Sequence, residues 1–326
     1  MAVGISTFSH FINELRETSH GLDSLSLIDW GVARLVEHMD VDAAWCGWAE
    51  IRPSEVLVHA SCASNLPEDY SEFWRTICTE DLLAKAVLKH PESVATYTRT
   101  GSLQTDGMVA LADRYNLTRM ATAMEQNRHG RLAFFLSVYR GGRSPHPWSS
   151  EETEFLACGV DHLAAAARTL HRGPLETAAE RTGIELVADG SGRAFIGGAA
   201  LSAAFADLWP GFDTDDLPGV LKTAAGCPGR TVIEDMGLVV EVKPLRGGRF
   251  PDMCNLSVRR AGPLDVLTAR EIEIAREISL GASHKLVARD LGISPATARN
   301  HIQSIYRKTG VDNRVALARL VMGTAD

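Results

Sequence analysis

The chain has 326 residues, 45% of them hydrophobic and 23% charged, with a formal net charge of −8. This length and composition predict a globular protein of two or three domains. No apolar run reaches the roughly 18 residues of a membrane helix, and the start does not resemble a signal peptide. We therefore expect a cytoplasmic protein with no membrane partner.

Cysteine spacing and motif searches argue against several chemistries. No two of the six cysteines form a close sequence pair, which predicts free thiols in a reducing compartment. His59 and Cys62 supply only two of the ligands that zinc needs. The chain has neither a phosphate-binding Gly-x-x-x-x-Gly-Lys-Ser/Thr loop nor a Gly-x-Ser-x-Gly nucleophile motif. We predict a protein that is not an enzyme and holds no metal or other cofactor.

The first segment, residues 1–172, is predicted to be an α/β sensor domain with an antiparallel sheet between helices. Helical patterns alternate with strand-like runs, and a long helix closes the segment. Predicted helices cover the start of the chain and residues 28–39, 70–89, 106–115 and 149–171, and predicted strands cover 42–51, 55–62, 118–125 and 131–141.

Aromatic residues in this segment have two interpretations. Trp45 and Trp48 fall on opposite faces of one strand, so at most one of them is expected to face a pocket. Tyr70 and Trp74 precede Asp81, and the three either pack on the sheet or line a ligand pocket with Trp45. Similarly, the apolar stretch 155–170 either forms a dimer surface or packs on its own sheet.

A second segment, residues 176–261, follows a break near Gly173–Pro174. The sequence predicts two strands joined by a Gly-rich hairpin, helices over 199–208 and 216–225, and three further antiparallel strands. No histidine lies between His171 and His284, which argues against a haem. We prefer a dimer scaffold or signal relay over a second ligand site.

The third segment, residues 264–326, follows a break near Gly262–Pro263 and predicts four short helices with explicit ends. Thr268 and Glu271 have the spacing of a capping box. The other signals are N-cap side chains, a proline in a first turn and glycines just past helix ends. They are Ser283, Ser294, Asp312 or Asn313, Pro295, Gly281, Gly292 and Gly310.

The helix after Ser294 has two distinct faces. At about 100° per residue, Ala298, Ile302, Ile305 and Thr309 form a narrow packing seam. A separate arc carries two guanidiniums and two amides without an acid: Arg299, Asn300, Gln303 and Arg307. Arginine pairs with guanine edges and Asn or Gln with adenine edges, so this arc suits base reading in a DNA major groove. A solvated surface helix is the plainer alternative.

The charge balance permits DNA binding. Residues 264–326 hold nine Lys/Arg and seven Asp/Glu, a net +2, which leaves −10 for the rest of the chain. A weakly basic domain on an acidic body predicts modest electrostatic affinity and binding as a homodimer.

At these residues the chain resembles the four-helix DNA-binding domain of LuxR-type transcription regulators. The family pattern runs Leu-Thr-x-Arg-Glu, Gly-x-Ser-x-Lys-x-x-Ala, Leu-Gly-Ile-Ser, Thr-x-x-x-His and Lys-x-Gly-Val-x-Asn-Arg. The matching residues are Leu267, Thr268, Arg270, Glu271, Gly281, Ser283, Lys285, Ala288, 291–294, Thr297, His301, Lys308, Gly310, Val311, Asn313 and Arg314. Leu286 replaces the usual Glu and Ala298 the usual Val, which we interpret as packing changes.

The resemblance implies roles for individual residues. The third helix enters the major groove in that family, and its base-facing positions correspond to Arg299, Asn300 and Gln303. Three family positions on the third helix correspond to contacts with the DNA backbone. Lysine side chains and the start of that helix are also expected to hold phosphates. These residues are Lys285, Ser294, Thr297, Arg307 and Lys308.

The element order of the first segment resembles GAF domains and LuxR-type ligand-binding domains, and that of the second resembles a short PAS domain. Acyl-homoserine-lactone receptors place Trp-x-x-x-Tyr before an Asp-Pro pair at the pocket. Here Tyr70 and Trp74 are in the reverse order, Asp81 comes two residues early, and Leu82 replaces the proline. A small apolar or aromatic signal molecule is one predicted controller, and a protein partner is the alternative.

These observations predict a multidomain fold: α/β sensor domains (α+β) followed by an all-α four-helix helix-turn-helix domain. The expected domains are 1–172, 176–261 and 264–326. The expected function is dimeric, sequence-specific binding of double-stranded DNA in transcriptional regulation.

Overall fold

The computed structural model describes residues 3–52, 56–126, 131–142, 146–169, 183–245, 250 and 252–322. The predicted break at Gly173–Pro174 lies outside these residues. The helices are α1 (Ile5–Thr18), α2 (Ser24–Met39), α3 (Tyr70–Ile77), α4 (Leu82–Lys89), α5 (Asp106–Arg114), α6 (Ser150–Thr169), α7 (Gly198–Ala204), α8 (Gly219–Ala225), α9 (Ala269–Ser279), α10 (His284–Asp290), α11 (Pro295–Thr309) and α12 (Arg314–Met322). The strands are β1 (Ala43–Ile51), β2 (Val56–Ser64), β3 (Ala95–Thr98), β4 (Leu117–Gln126), β5 (Leu132–Gly141), β6 (Ile184–Asp189), β7 (Ala194–Ile196), β8 (Gly229–Ile233), β9 (Leu238–Pro244) and β10 (Met253–Arg260).

The first sheet has the strand order β2-β1-β5-β4-β3, with antiparallel neighbours. Side chains of β1 alternate between two hydrophobic clusters: Ala44 and Trp48 enter one, and Ala43 and Trp45 enter the other. This confirms that the two tryptophans lie on opposite faces. The four residues of β3 were missed by the sequence analysis because so short a strand has little alternation to detect.

Helices cover both faces of this sheet. Residues of α1, α2 and α6 pack into the cluster that holds Trp48, and residues of α3, α4 and α5 pack into the cluster that holds Trp45. Phe155, Val160 and Leu163 of α6 are at most 3% exposed, because they face the first of these clusters. The expectation that this apolar stretch forms a dimer surface is therefore wrong for these side chains.

A second sheet has the order β7-β6-β10-β9-β8. If the strands of each sheet are numbered 1 to 5 in chain order, both sheets have the same strand order, 2-1-5-4-3. The predicted Gly-rich hairpin is the β6–β7 pair, and the three later strands are confirmed as β8, β9 and β10. Helices α7 and α8 lie between the hairpin and β8, close to their predicted positions. Two antiparallel sheets with helices and an all-helical C-terminal region confirm the predicted fold class.

The chain divides into two compact units. The first takes in the whole first sheet and its helices, together with β6, β7, α7 and α8, and the second takes in β8 and the four C-terminal helices. Their ranges are Met1–Gly173, Glu185–Gly226 and Lys243–Asn255 for the first unit, and Pro174–Ile184, Cys227–Val242 and Leu256–Asp326 for the second. The division of the chain into three domains stays a prediction.

Within the second unit, Asp265 fixes the segment that leads into α9. Its carboxylate accepts hydrogen bonds from Arg259 Nη2 (2.6 Å), Arg230 Nη2 (2.6 Å) and the amide of Gly262 (2.7 Å). Burial alone would raise the pKa of Asp265, but these donors outweigh it and lower the pKa to about 2. The start of the helical region is thereby tied to β8 and β10.

Candidate nucleic-acid interface

The first two C-terminal helices begin at the predicted caps. The Thr268 hydroxyl accepts from the Glu271 amide and the Glu271 carboxylate accepts from the Thr268 amide, which completes the capping box of α9. Leu267 is buried and Ile272 packs against the same cluster, which is the arrangement of a hydrophobic staple at the start of α9. The Ser283 hydroxyl caps α10 by accepting from the Leu286 amide at 3.3 Å.

The next two helices also follow their local signals. The Ser294 hydroxyl accepts from the Thr297 amide (3.1 Å), and α11 ends before Gly310, whose φ is 72°. The left-handed conformation at that position favours glycine. Of the two predicted caps for α12, Asn313 is the one used, because its Oδ1 accepts from the Ala316 amide at 2.8 Å.

The packing seam of α11 is buried as predicted. Ala298 and Ile305 have no exposed surface and Thr309 is buried, while Ile302 packs at the edge of the cluster. The interpretation of Leu286 as a packing change is wrong, because this side chain is 36% exposed on α10. Ala298 does occupy the core.

The polar face of α11 is available to a ligand. Arg299, Asn300, Gln303 and Arg307 are all exposed. None of these four side chains forms a hydrogen bond or an ion pair with another residue that the structure describes. Lys285, on α10, is exposed and unpaired in the same sense. The sequence pattern therefore identified a surface whose donors and acceptors are not used within the described fold.

Other predicted phosphate contacts have intramolecular partners. The Ser294 and Thr297 hydroxyls are 2.8 Å apart at the start of α11. Lys308 Nζ donates to Glu271 Oε2 at 2.7 Å, and the Lys308 side chain is only 33% exposed. The sequence shows a lysine in the last turn of α11 and a glutamate in the first turn of α9, but it does not show that the two pair.

Glu271 is the buried polar centre of the helical region. It is 4% exposed and accepts from Ser304 Oγ (2.9 Å) as well as from Lys308 and Thr268. Burial would raise the pKa of Glu271, but the hydrogen bonds from Lys308, Thr268 and Ser304 lower it to about 2. The carboxylate thus stays ionised and fastens the C-terminal half of α11 to the start of α9.

The predicted ligand residues of the first segment lie together. Trp45 contacts Tyr70 and Trp74, with ring centroids 5.4 and 5.0 Å apart. Trp74 Nε1 donates to Asp81 Oδ2 (2.7 Å), while Asp81 Oδ1 caps α4. The Tyr70 hydroxyl donates to the Tyr139 hydroxyl at 2.8 Å. All four predicted side chains are buried, so they do form part of the core.

A cavity of about 40 Å³ lies between the sheet and α4. Trp45, Trp74 and Asp81 line it, whereas Tyr70 does not. The Thr122 and Ser137 hydroxyls, hydrogen-bonded to each other at 2.8 Å, also line it and were missed by sequence analysis because the residues lie on different strands. The buried Trp45 Nε1 donates no hydrogen bond to any described residue.

The capped helices, the buried seam and the exposed face of α11 together define a helix-turn-helix domain. Residues 265–321 match the sequence model of the family described as bacterial regulatory proteins, luxR family. This part of the chain is therefore a luxR-family helix-turn-helix domain.

Individual relatives match part of the chain. A monoamine regulon transcriptional regulator of Klebsiella aerogenes is 48% identical over 52 residues, which cover 16% of this chain and 23% of that protein. A nitrate/nitrite response regulator protein homolog of Haemophilus influenzae is 31% identical over 86 residues, which cover 26% of this chain and 41% of that protein. The chain thus spans less than half the length of these relatives.

Solved structures give only a distant likeness. The alignment with a crystal structure of Escherichia coli SdiA covers 98% of each chain, with 13% sequence identity and a TM-score of 0.35. No helix among the described residues is long and apolar enough to cross a membrane.

Proposed function

We propose that this protein is a transcriptional regulator that binds double-stranded DNA sequence-specifically through α11. The observation that carries the proposal is the exposed, unpaired set of Arg299, Asn300, Gln303 and Arg307 on a helix whose opposite seam is buried. Arg299, Asn300 and Gln303 read base edges, and Arg307 contacts phosphate with Lys285, Ser294 and Thr297. Lys308 already donates to Glu271. It contacts phosphate only if its ammonium group bonds the Glu271 carboxylate and the phosphate at the same time.

Arg299→Ala and Gln303→Ala should each weaken binding to the cognate site by about 1–3 kcal/mol and relax base preference at one position. Lys285→Ala should instead weaken all sequences alike and reduce the salt slope by about 1. The measurement is titration of a selected operator and its single-base variants at several salt concentrations. Full discrimination by both α11 variants would show that another surface reads the bases.

Arg276→Ala is the matched control for these variants, because Arg276 is an exposed arginine of the same domain that lies outside α11.

One helix reads only a few base pairs, so we propose a homodimer on two related half-sites. Light scattering on the operator complex should give two chains per site. A one-to-one complex with full specificity would contradict the dimer.

We further propose that a small apolar or aromatic molecule in the first segment controls DNA binding. Trp45 Nε1 supports this, because a buried donor without an acceptor costs about 1–3 kcal/mol unless a ligand or water accepts from it. Asp81 supplies a second polar group, and burial raises the pKa of its carboxyl. The surrounding side chains are mostly apolar, as in ligand pockets.

The cavity must widen to admit such a molecule. A volume of about 40 Å³ holds only a few waters, since each needs about 10–15 Å³. This small volume favours the second candidate function, in which a protein partner controls the regulator without a ligand. Opening the hydrogen bond between Trp74 and Asp81 would release both groups toward a ligand.

A melting screen against bacterial signal molecules and aromatic metabolites separates the two mechanisms. A true ligand at a hundredfold excess over its Kd should stabilise the folded chain by about 2.7 kcal/mol. Trp45→Phe and Trp74→Ala should abolish the shift. Trp48→Phe is the control, because Trp48 lies on the same strand but on the opposite face. If no compound stabilises the chain, control by a protein partner takes precedence.

A further inference from the structure

Two cysteines that are distant in sequence meet on the first sheet. Cys46 of β1 and Cys62 of β2 are direct partners in the antiparallel register, and their Sγ atoms are 3.2 Å apart. They are 2% and 8% exposed in the cluster beneath α2 and α6. Both are thiols in this structure. The sequence predicts free thiols and contains no close pair, because the contact between Cys46 and Cys62 depends on strand register.

The backbone at this point suits a cross-link. Gly47 follows Cys46, and a Cβ there would lie 2.1 Å from the Ala60 carbonyl oxygen, so glycine lets the two strands approach. Opposed residues of antiparallel strands have Cα atoms about 4.5–5.5 Å apart, within the range of about 4.4–6.8 Å that disulfides span. The sulfurs must close from 3.2 Å to about 2.0 Å, which side-chain rotation supplies.

We propose that Cys46 and Cys62 form a dithiol site that peroxides oxidise to an intrachain disulfide. One sulfur, as thiolate, attacks a peroxide oxygen. The O–O bond breaks and leaves a sulfenic acid. The second sulfur then attacks the sulfenic sulfur, the S–S bond forms, the S–O bond breaks, and water leaves. With hydrogen peroxide, two thiols and one peroxide give one disulfide and two waters, so sulfur is oxidised and oxygen reduced.

The position of the site gives the disulfide a structural consequence. In the described sheet, β2 is an edge strand, held on one side only by β1. Val56 and Val58 of β2 line the cavity that also contains Trp45. A bond between Cys46 and Cys62 fastens this edge strand, and with it one wall of the cavity. Formation of the disulfide does not depend on whether the cavity binds a ligand.

The experiment uses the full chain with Cys158 and Cys227 replaced by serine, since both are exposed and would react first. The folded chain is treated with hydrogen peroxide, the remaining thiols are alkylated, and the digest is analysed by mass spectrometry. We expect a Cys46–Cys62 peptide pair lacking two hydrogens, reversed by dithiothreitol, and a rise of a few degrees in Tm.

Cys254 is an internal control, because it is also buried but its thiol donates to the Ala188 carbonyl at 3.3 Å. It should stay reduced. Cys62→Ser should abolish the cross-link. If that variant does not fold, the chain that keeps Cys62 still tests the proposal. Oxidised in urea, where it is unfolded, that chain should give mixed disulfides instead of the specific Cys46–Cys62 pair. The unsubstituted chain, treated in the same way, shows through oxidation of Cys158 that the peroxide has reacted. If Cys46 and Cys62 can still be alkylated in that chain, the proposal is overturned.

Discussion

Glu271→Gln should loosen the attachment of α11 to α9 and abolish specific DNA binding. The glutamine amide keeps the shape of the side chain but removes the charge that holds Lys308, and it leaves at least one donor without an acceptor. Removing one partner of a buried ion pair costs about 3–5 kcal/mol. We expect the lower end, because Lys308 is one-third exposed and water partly replaces the carboxylate.

Hydrogen exchange of the α9 and α11 peptides in the full chain measures this loss locally, which a global melt of a multidomain protein does not. Glu273→Gln is the matched control on the same helix. Glu273 makes an exposed ion pair with Arg270 (2.8 Å), and such pairs contribute about 0–1 kcal/mol. Equal exchange rates in both variants would mean that the buried carboxylate does not fasten the helices.

The same carboxylate predicts a pH dependence. The pKa of Glu271 is about 2 in the folded chain, below its usual 4.5. A lowered pKa stabilises the fold at pH values above the unfolded pKa, and that contribution is lost as the pH falls through the folded value. Protection of α9 and α11 should therefore decline between about pH 4.5 and 2. The decline should be weaker in Glu271→Gln.

Asp81→Ala should destabilise the first unit by about 1.5–5 kcal/mol. About 0.5–2 kcal/mol comes from the lost cap of α4, where Asp81 accepts from the amides of Leu83 and Ala84. A further 1–3 kcal/mol comes from the buried Trp74 indole N–H, which loses its acceptor. Hydrogen exchange of α3 and α4 and the tryptophan fluorescence of the full chain would report both effects.

Asp23→Ala separates these two contributions. Asp23 caps α2 in the same way, by accepting from the amides of Leu25 and Ser26, but it is exposed and holds no indole. Its loss should cost the capping contribution and one exposed hydrogen bond, from the Ser26 hydroxyl (2.6 Å), but no buried indole bond. Similar costs for the two variants would indicate that the indole hydrogen bond contributes nothing to stability.

Local signals in the sequence determined the C-terminal domain almost completely. The caps at Thr268, Ser283 and Ser294 involve residues within one helical turn, so the chain order alone specifies them. Helical periodicity then separated the buried seam of α11 from its polar face. The strands of both sheets were also predicted, apart from β3, because most show alternation or an apolar run between turn residues.

Tertiary structure decided which distant side chains meet. The Glu271–Lys308 pair, the Arg230–Asp265 pair and the Cys46–Cys62 contact join distant parts of the chain, and no local pattern specifies their distances. The apolar face of α6 illustrates the same limit, because its sequence suits a dimer interface and a core equally well. The physical reason is that burial depends on how strands pair and helices pack, whereas a helix end is satisfied by its own neighbours.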